Sequence, residues 1–404
     1  MTFEKNKEYV IALILLIVSN ICFYNMNYIL LYIILTIVAL GILALKAVPK
    51  LIAGRVYIPA CIFWLIINYG IFTFNGLLRL KYGTYNWDMM LYTCVQCCAI
   101  YWTSWKLVTS ENWFDNIKQV IFLATIISLL ILILGEIKNF GVDGLRIGDS
   151  LSGNVNVAGA NFGIMSLFIV FICNKEKKIY NWIVFGAVAA VMLLTGSKMT
   201  IIILMIDLIY FIISSKDKIK TLILVSVAGV VLLVVVFKVP YFYNIIGYRI
   251  VDMIYQLFGI GPGHYSNSTN VRKIMIQEGF KFFINHPLFG GGEKYFGSLT
   301  STIYAYSHCN YTEILCNFGL IGFGTYYMPL FANIVIMLRN SKRDNGLLAL
   351  SGSLLCIRLL LDWMQVTYSE PCIGYIPMIF SFIYIRLLYR ENEFNTFKGE
   401  NCNV

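Results

Sequence analysis

Residues 222–237 read LILVSVAGVVLLVVVF, and just beyond them residues 240–308 form a polar stretch that carries all three histidines of the protein, His264, His286 and His308. The first run has no charged side chain and reads as a membrane-crossing segment. With no water in the bilayer core, such a segment must satisfy its backbone internally, so it is a helix. The second stretch has the opposite character. From Lys238 onward it carries Arg249, Arg272, Lys273, Lys281 and Lys294 against Asp252, Glu278 and Glu293, a net positive balance. Connections longer than about 12–15 residues are usually functional or disordered. Tyr, Phe, Ile and Met recur throughout this one, which argues against disorder. A cationic, histidine-bearing segment hung between membrane spans is where chemistry is expected.

The rest of the chain resembles the first run. Its 404 residues are 59% hydrophobic and 13% charged, with a mean hydropathy of +0.75. Soluble domains are about 25% charged. The expectation is an all-α integral membrane protein forming one polytopic domain over residues 1–404. Its net charge of +10 does not point to nucleic acid, because the bases are scattered between apolar runs and form no stripe. Most of the 11 cysteines lie inside apolar runs, so they form no secreted disulfide framework. Cys94, Cys97 and Cys98 have no histidine beside them and read as small packing residues. The first apolar run, after Glu4, Lys5 and Lys7, lacks a small-residue cleavage site and reads as a signal anchor.

About twelve spans are expected, near residues 9–24, 28–45, 56–74, 87–108, 117–135, 156–173, 179–194, 199–213, 222–237, 311–338, 347–363 and 372–388. Basic side chains in short loops stay in the cytoplasm. With both termini inside, this count puts Lys46, Lys50 and Arg55 inside. It does the same for Lys175, Lys177 and Lys178, for Lys216, Lys218 and Lys220, and for Arg339, Lys342 and Arg343. The polar tail 391–404 is then cytoplasmic. The loop 136–155 with Arg146, the turn 195–198 and the long loop 238–308 are extracytoplasmic.

Within the long loop, residues 270–285 (NVRKIMIQEGFKFFIN) have apolar positions at helical spacing. They predict an amphipathic helix on the membrane surface or over the bundle. Its basic residues suit lipid headgroups, and the alternative is that Arg272 points inward at a substrate phosphate. The following turn, His286-Pro287-Leu288-Phe289-Gly290-Gly291-Gly292, offers backbone amides that an anion can approach. His286 suits a helix-end cap, and His264 a surface loop. Asn154 and Asn156 are candidates to cap the span that follows them. Arg358 and Asp362 stand four apart in one span, either as a functional pair or as an ion pair that locks the bundle.

Three pieces occur in order: Arg146 ahead of Gly153-Asn154-Val155-Asn156; Leu193-Leu194-Thr195-Gly196-Ser197-Lys198; and Arg272 followed by the 285–292 turn, His308-Cys309-Asn310-Tyr311-Thr312-Glu313 and Gly319-Leu320-Ile321-Gly322. With twelve spans and one long outer loop, this resembles the bacterial O-antigen polymerase and ligase superfamily, the Wzy-type membrane glycosyltransferases. The resemblance covers the middle and last thirds of the chain. It implies a glycosyltransferase of the bacterial cytoplasmic membrane whose active site faces outside. Its donor would be an undecaprenyl-pyrophosphate-linked oligosaccharide, polymerised into surface polysaccharide such as O-antigen, capsule or exopolysaccharide. A chain-length regulator and a flippase are candidate partners. His308 matches the family's histidine, Arg146 the arginine of the earlier loop and Arg272 that of the long loop, with Arg249 a second candidate there. Cys309 stands where asparagine often follows the histidine, with Asn310 one place later. Lys198 replaces a usual arginine and offers a point charge in place of a bidentate fork.

The physical chemistry suits that resemblance. Cleavage of an anomeric C–O bond builds charge on the departing pyrophosphate, which Arg146, Arg249, Arg272 and Lys198 are placed to stabilise. The incoming sugar hydroxyl needs a base, and His308 titrates in the useful range. Direct displacement inverts the anomeric centre. Asn310, Arg358 and Asp362 are supporting candidates. No cofactor is expected, and no metal either, since no Asp-x-Asp motif stands in the outer loops. Two other readings stay open. One is a ligase moving polymer to another acceptor. The other is a lipid-linked-glycan flippase or transporter, although transporters tend to show repeat halves.

Overall fold

The computed structural model describes residues 6–21, 29–52, 60–78, 87–110, 112–136, 146–148, 154–258, 267–300, 306–339 and 345–368. Among them all regular structure is helical and no strand occurs. The first half comprises α1 (Lys7–Ile21), α2 (Ile29–Ile52), α3 (Ala60–Leu78), α4 (Trp87–Val108) and α5 (Trp113–Glu136). Next come α6 (Val155–Lys175), α7 (Ile179–Leu194), α8 (Lys198–Ser214) and α9 (Lys218–Lys238). A helical turn (Pro240–Phe242) and a π-turn (Tyr243–Gly247) lead into α10 (Tyr248–Phe258), α11 (Asn267–Asn285) and α12 (Tyr295–Thr300). Finally, α13 (Asn310–Arg339) and α14 (Asn345–Met364) return to the apolar bundle.

Every expected apolar run from 9–24 to 347–363 overlaps a described helix. The run 372–388, the tail 391–404, His264 and Arg55 lie outside the described residues. Four of the described helices, α5, α6, α9 and α13, are long and apolar enough to cross a membrane, and shorter apolar helices accompany them. The polar stretch after Lys238 is largely helical too.

The bundle is built around α6. In its apolar stretch 94% of the residues are buried, against 11% in α9, so α6 is central and α9 peripheral. Helices α5, α7, α8 and α14 surround α6. Its approach to α8 depends on Gly159 and Gly163, a small-xxx-small pair. A Cβ on Gly163 would stand 2.6 Å from Ile203 Cγ2, and one on Gly159 would run into Thr200. Ser166 and the fully buried Asp207 add a hydrogen bond across the same contact. Residues here therefore come close through absent side chains and one buried polar pair, since lipid supplies no hydrophobic drive between helices.

The long helix α13 is two helices joined at a break. Gly319 has φ 66° and ψ −165° inside it. The helix ladder is interrupted there, and the 287–292 turn fills the interruption. Leu320 N donates to Pro287 O (2.8 Å) and Ile321 N to Leu288 O (3.1 Å), while Gly291 N donates to Cys316 O (3.0 Å) and Gly292 N to Asn317 O (2.8 Å). Gly290 N donates to His286 O at 2.9 Å. The glycine amides expected to approach an anion are therefore already bound to carbonyls. Irregular backbone at membrane depth is tolerated only where such partners exist.

Candidate active site

The candidate residues fall into three groups. The first surrounds the turn between α7 and α8. Arg146 Nε donates to Thr195 O at 2.5 Å and Nη2 to Asn156 Oδ1 at 3.4 Å. Ile147 N donates to Leu194 O (3.2 Å), and Gly148 N to the buried Glu136 carboxylate (2.9 Å). Asn154 caps α6, accepting from Asn156 N at 2.9 Å, as its position suggested. Gly196 has φ +58°, and a Cβ there would stand 2.7 Å from Ile245 O, so both the backbone conformation and the close approach require glycine. That close approach brings α10 to the turn. Lys198 forms an ion pair with Asp252 of α10, so its charge is already partnered. Arg249, one turn earlier on α10, lies with its guanidinium 5.0 Å from the Tyr248 ring centroid. Its Nε is enclosed and makes no hydrogen bond among the described residues.

The second group joins α11 to the start of α13. Met275 and Gly279 lie on the buried face of α11, where Met275 clusters with Tyr295, Phe296 and Cys316. A Cβ on Gly279 would run into Thr312. Arg272 precedes these two residues by three and seven positions, so it shares their face. The helix predicted from its periodicity thus lies over the bundle, with Arg272 turned inward. Arg272 is close enough to His308 that its charge acts on the imidazole. Burial first, and the Arg272 charge second, push the His308 pKa down to about 4. Burial also lowers the Arg272 pKa, partly offset by Tyr306; an arginine so placed remains charged. The Tyr306 ring lies 4.2 Å from the His308 ring, centroid to centroid. The expectation that His308 titrates near neutrality is thus corrected: in the unliganded protein it is neutral at pH 7.

His308 sits at φ +56°, in the left-handed region. A non-glycine residue persists there only when its surroundings impose it. Ser307 N donates to Glu313 Oε2 at 2.7 Å, and Ser307 Oγ to Cys309 O at 2.9 Å. Asn317 Nδ2 donates to Glu313 Oε1 (3.1 Å), and Asn317 Oδ1 accepts from Phe296 N (3.3 Å). The buried Glu313 and Asn317 therefore hold the histidine loop against the helix break. Sequence reading passed over both; an acid in the first turn of an apolar helix was the signal available.

The third group is a buried network reached through Asn310, two residues after His308. Asn310 Oδ1 accepts from Thr367 N (2.9 Å) and Tyr368 N (3.0 Å), and its Nδ2 donates to Tyr327 OH at 2.9 Å. Tyr327 OH donates to Asp362 Oδ2 at 3.0 Å. Asp362 pairs with Arg358 Nε at 3.1 Å and also accepts from Thr367 Oγ1, while Arg358 donates to Tyr326 OH. Both ions are essentially inaccessible to solvent. The three supporting candidates thus form one connected unit that anchors the His308 loop to α14. His286 directly follows α11, with its ring 5.5 Å from that of Tyr295.

Fold and geometry define a class: a protein of membrane type, helical throughout its described residues, in which a polar helical lobe sets a half-buried arginine beside a constrained histidine above a broken helix. Residues 183–327 match the O-antigen ligase family. That match is consistent with the O-antigen polymerase and ligase superfamily, whose members are glycosyltransferase-like enzymes. It includes Lys198, Arg249, Arg272, His308 and Asn310, and leaves Arg146, Arg358 and Asp362 outside it. No curated protein matches the chain.

Proposed function

We propose that the protein polymerises undecaprenyl-pyrophosphate-linked oligosaccharide repeat units into surface polysaccharide, by inverting glycosyl transfer on the outer face of the cytoplasmic membrane. The observation that carries this reading is the Arg272–His308 pair, a fixed cation acting on a neutral imidazole held in a constrained loop. The acceptor hydroxyl oxygen attacks the anomeric carbon, and its proton passes to the His308 imidazole. The C–O bond to the pyrophosphate breaks, and the lipid diphosphate leaves with the electron pair. Arg272 offsets the charge that develops there, with Arg249 and Arg146 as further phosphate contacts. The donor's own negative charge counters that of Arg272 and so raises the basicity of His308 when substrate is bound. A base that strengthens as its substrate arrives is suited to this step. The reading calls for a flippase that delivers the donor and a chain-length regulator.

The test is His308→Ala and Arg272→Gln in cells, with the abundance of the protein followed alongside. Loss of the polysaccharide ladder at normal abundance is expected, and unchanged ladders sink the assignment. The family description favours one second reading, transfer of finished polymer to another acceptor. A deletion strain separates the two: single-repeat glycan left on the cell marks a polymerase, and none marks a ligase.

A further inference from the structure

A cavity of about 460 Å³ opens between the C-terminal ends of α6 and α8 and the N-terminal parts of α7 and α9. It lies at the opposite end of the bundle from Arg146 and Lys198, which stand where α6 and α8 begin. Its volume falls in the usual range for small-molecule sites, roughly 300–1,000 Å³. Two kinds of wall meet in it. Phe171, Trp182, Phe211 and Leu224 line it with apolar surface. Lys175, Lys177, Lys216 and Lys220 also line it, against Asp217 as the one acid among its lining residues. Asp217 lies 4.0 Å from Lys220 and leaves the other three lysines unbalanced within the lining. The rim is tied by Asn174 Nδ2 to Ser214 Oγ (2.5 Å) and by the Ser215 and Thr221 hydroxyls (2.6 Å). The lysine bias marks this end as cytoplasmic.

We propose that this cavity binds a phosphate-bearing amphiphile, an anionic phospholipid of the surrounding leaflet, with its phosphate among the lysines and its acyl chain along the aromatic wall. Neither wall alone selects that ligand. Lysines by themselves take any soluble anion, and the aromatic wall by itself takes any acyl chain. Basic pockets between membrane helices suit anionic headgroups in this way. The site also has a structural consequence. Helix α9 is the least buried of the four long apolar helices, and a lipid seated between it and α6 to α8 adds contacts the protein lacks. This inference does not depend on the glycosyl-transfer reading.

The experiment uses the full chain in neutral detergent, with phosphatidylglycerol, phosphatidylcholine or inorganic phosphate added. Retained lipid is read by native mass spectrometry and melting temperature in parallel. Phosphatidylglycerol is expected to be retained and to raise the melting temperature, and phosphatidylcholine to do neither. Lys175→Gln with Lys216→Gln should weaken phosphatidylglycerol binding roughly thirtyfold, from the usual contribution of a lysine near an anionic lipid surface. Both side chains are exposed, so the variant folds; Lys281→Gln, on α11, should leave binding as it is. Equal retention of phosphatidylcholine overturns the proposal, as does full binding by the double variant. Inorganic phosphate binding as tightly as the lipid overturns it too, because the apolar wall then contributes nothing.

Discussion

Gly319→Ala is the substitution that tests how the site is held together. At φ 66° and ψ −165°, Gly319 occupies backbone space that is essentially reserved for glycine. A Cβ there would stand 2.5 Å from Leu288 C and 2.6 Å from Gly290 N, both backbone atoms that no rotamer change can move. The strained conformation alone costs about 1–3 kcal/mol. Displacing the 287–290 segment also loses the Leu320–Pro287 and Ile321–Leu288 hydrogen bonds, worth about 1 kcal/mol each. A loss of about 3–5 kcal/mol is expected. The damage is directed: the 287–292 turn joins α11, which carries Arg272, to the helix that begins beside His308. Melting of the purified protein should fall by on the order of 5 °C, and glycan product in cells should drop with it. Gly324→Ala is the control on the same helix, since nothing lies within 4 Å of its Cβ. It should be neutral or gain up to about 1 kcal/mol from helix propensity. If Gly319→Ala melts like the parent protein, the docking of the turn into the break is wrong, and with it the account of how Arg272 is positioned.

Other outcomes follow from the same contacts. Glu313→Ala leaves Ser307 N–H and the Asn317 amide without their acceptor and should cost about 2–4 kcal/mol, read by thermal melting; the wild-type melting temperature would mean that Glu313 does not hold the His308 loop. Arg358→Met strands a buried Asp362 and should cost about 3–5 kcal/mol, and adding Asp362→Leu should restore much of it; a double variant no better than the single denies the pairing. The depressed His308 pKa fixes the sign of the pH dependence. The basic, neutral form persists as pH falls until about 4, so for the free enzyme activity is lost only through that region. Burial favours the neutral imidazole in the folded state, so stability drops as pH falls below the ordinary histidine value near 6.5 and the full penalty is reached below about 4. Arg272→Gln removes the second cause of the depression and should move the His308 titration, followed by NMR of the imidazole protons, upward, toward but not reaching 6.5 because burial remains; a titration that stays in place separates the two residues.

The sequence alone determined the helical, membrane-type architecture, the positions of the apolar helices and the Asn154 cap, and it placed Arg272 on an amphipathic helix without fixing which way its side chain points. Each of these follows from local rules: the periodicity of a helix, the intolerance of lipid for unpaired backbone, and the reach of a side chain two residues along. Only the tertiary structure decided that Gly290, Gly291 and Gly292 give their amides to carbonyls, two of them to Cys316 and Asn317 just before the break in α13, that α13 is broken at Gly319, and that Lys198 is paired with Asp252. It likewise revealed Glu313 and Asn317 as the clamp on His308 and linked Asn310 to the Arg358–Asp362 pair. The reason is physical. Many of these partners stand tens of residues apart, and backbone-to-backbone docking involves no side chain, so it leaves no pattern to read. Burial, which sets the charge of His308, is a property of everything packed around it and belongs to no stretch of sequence.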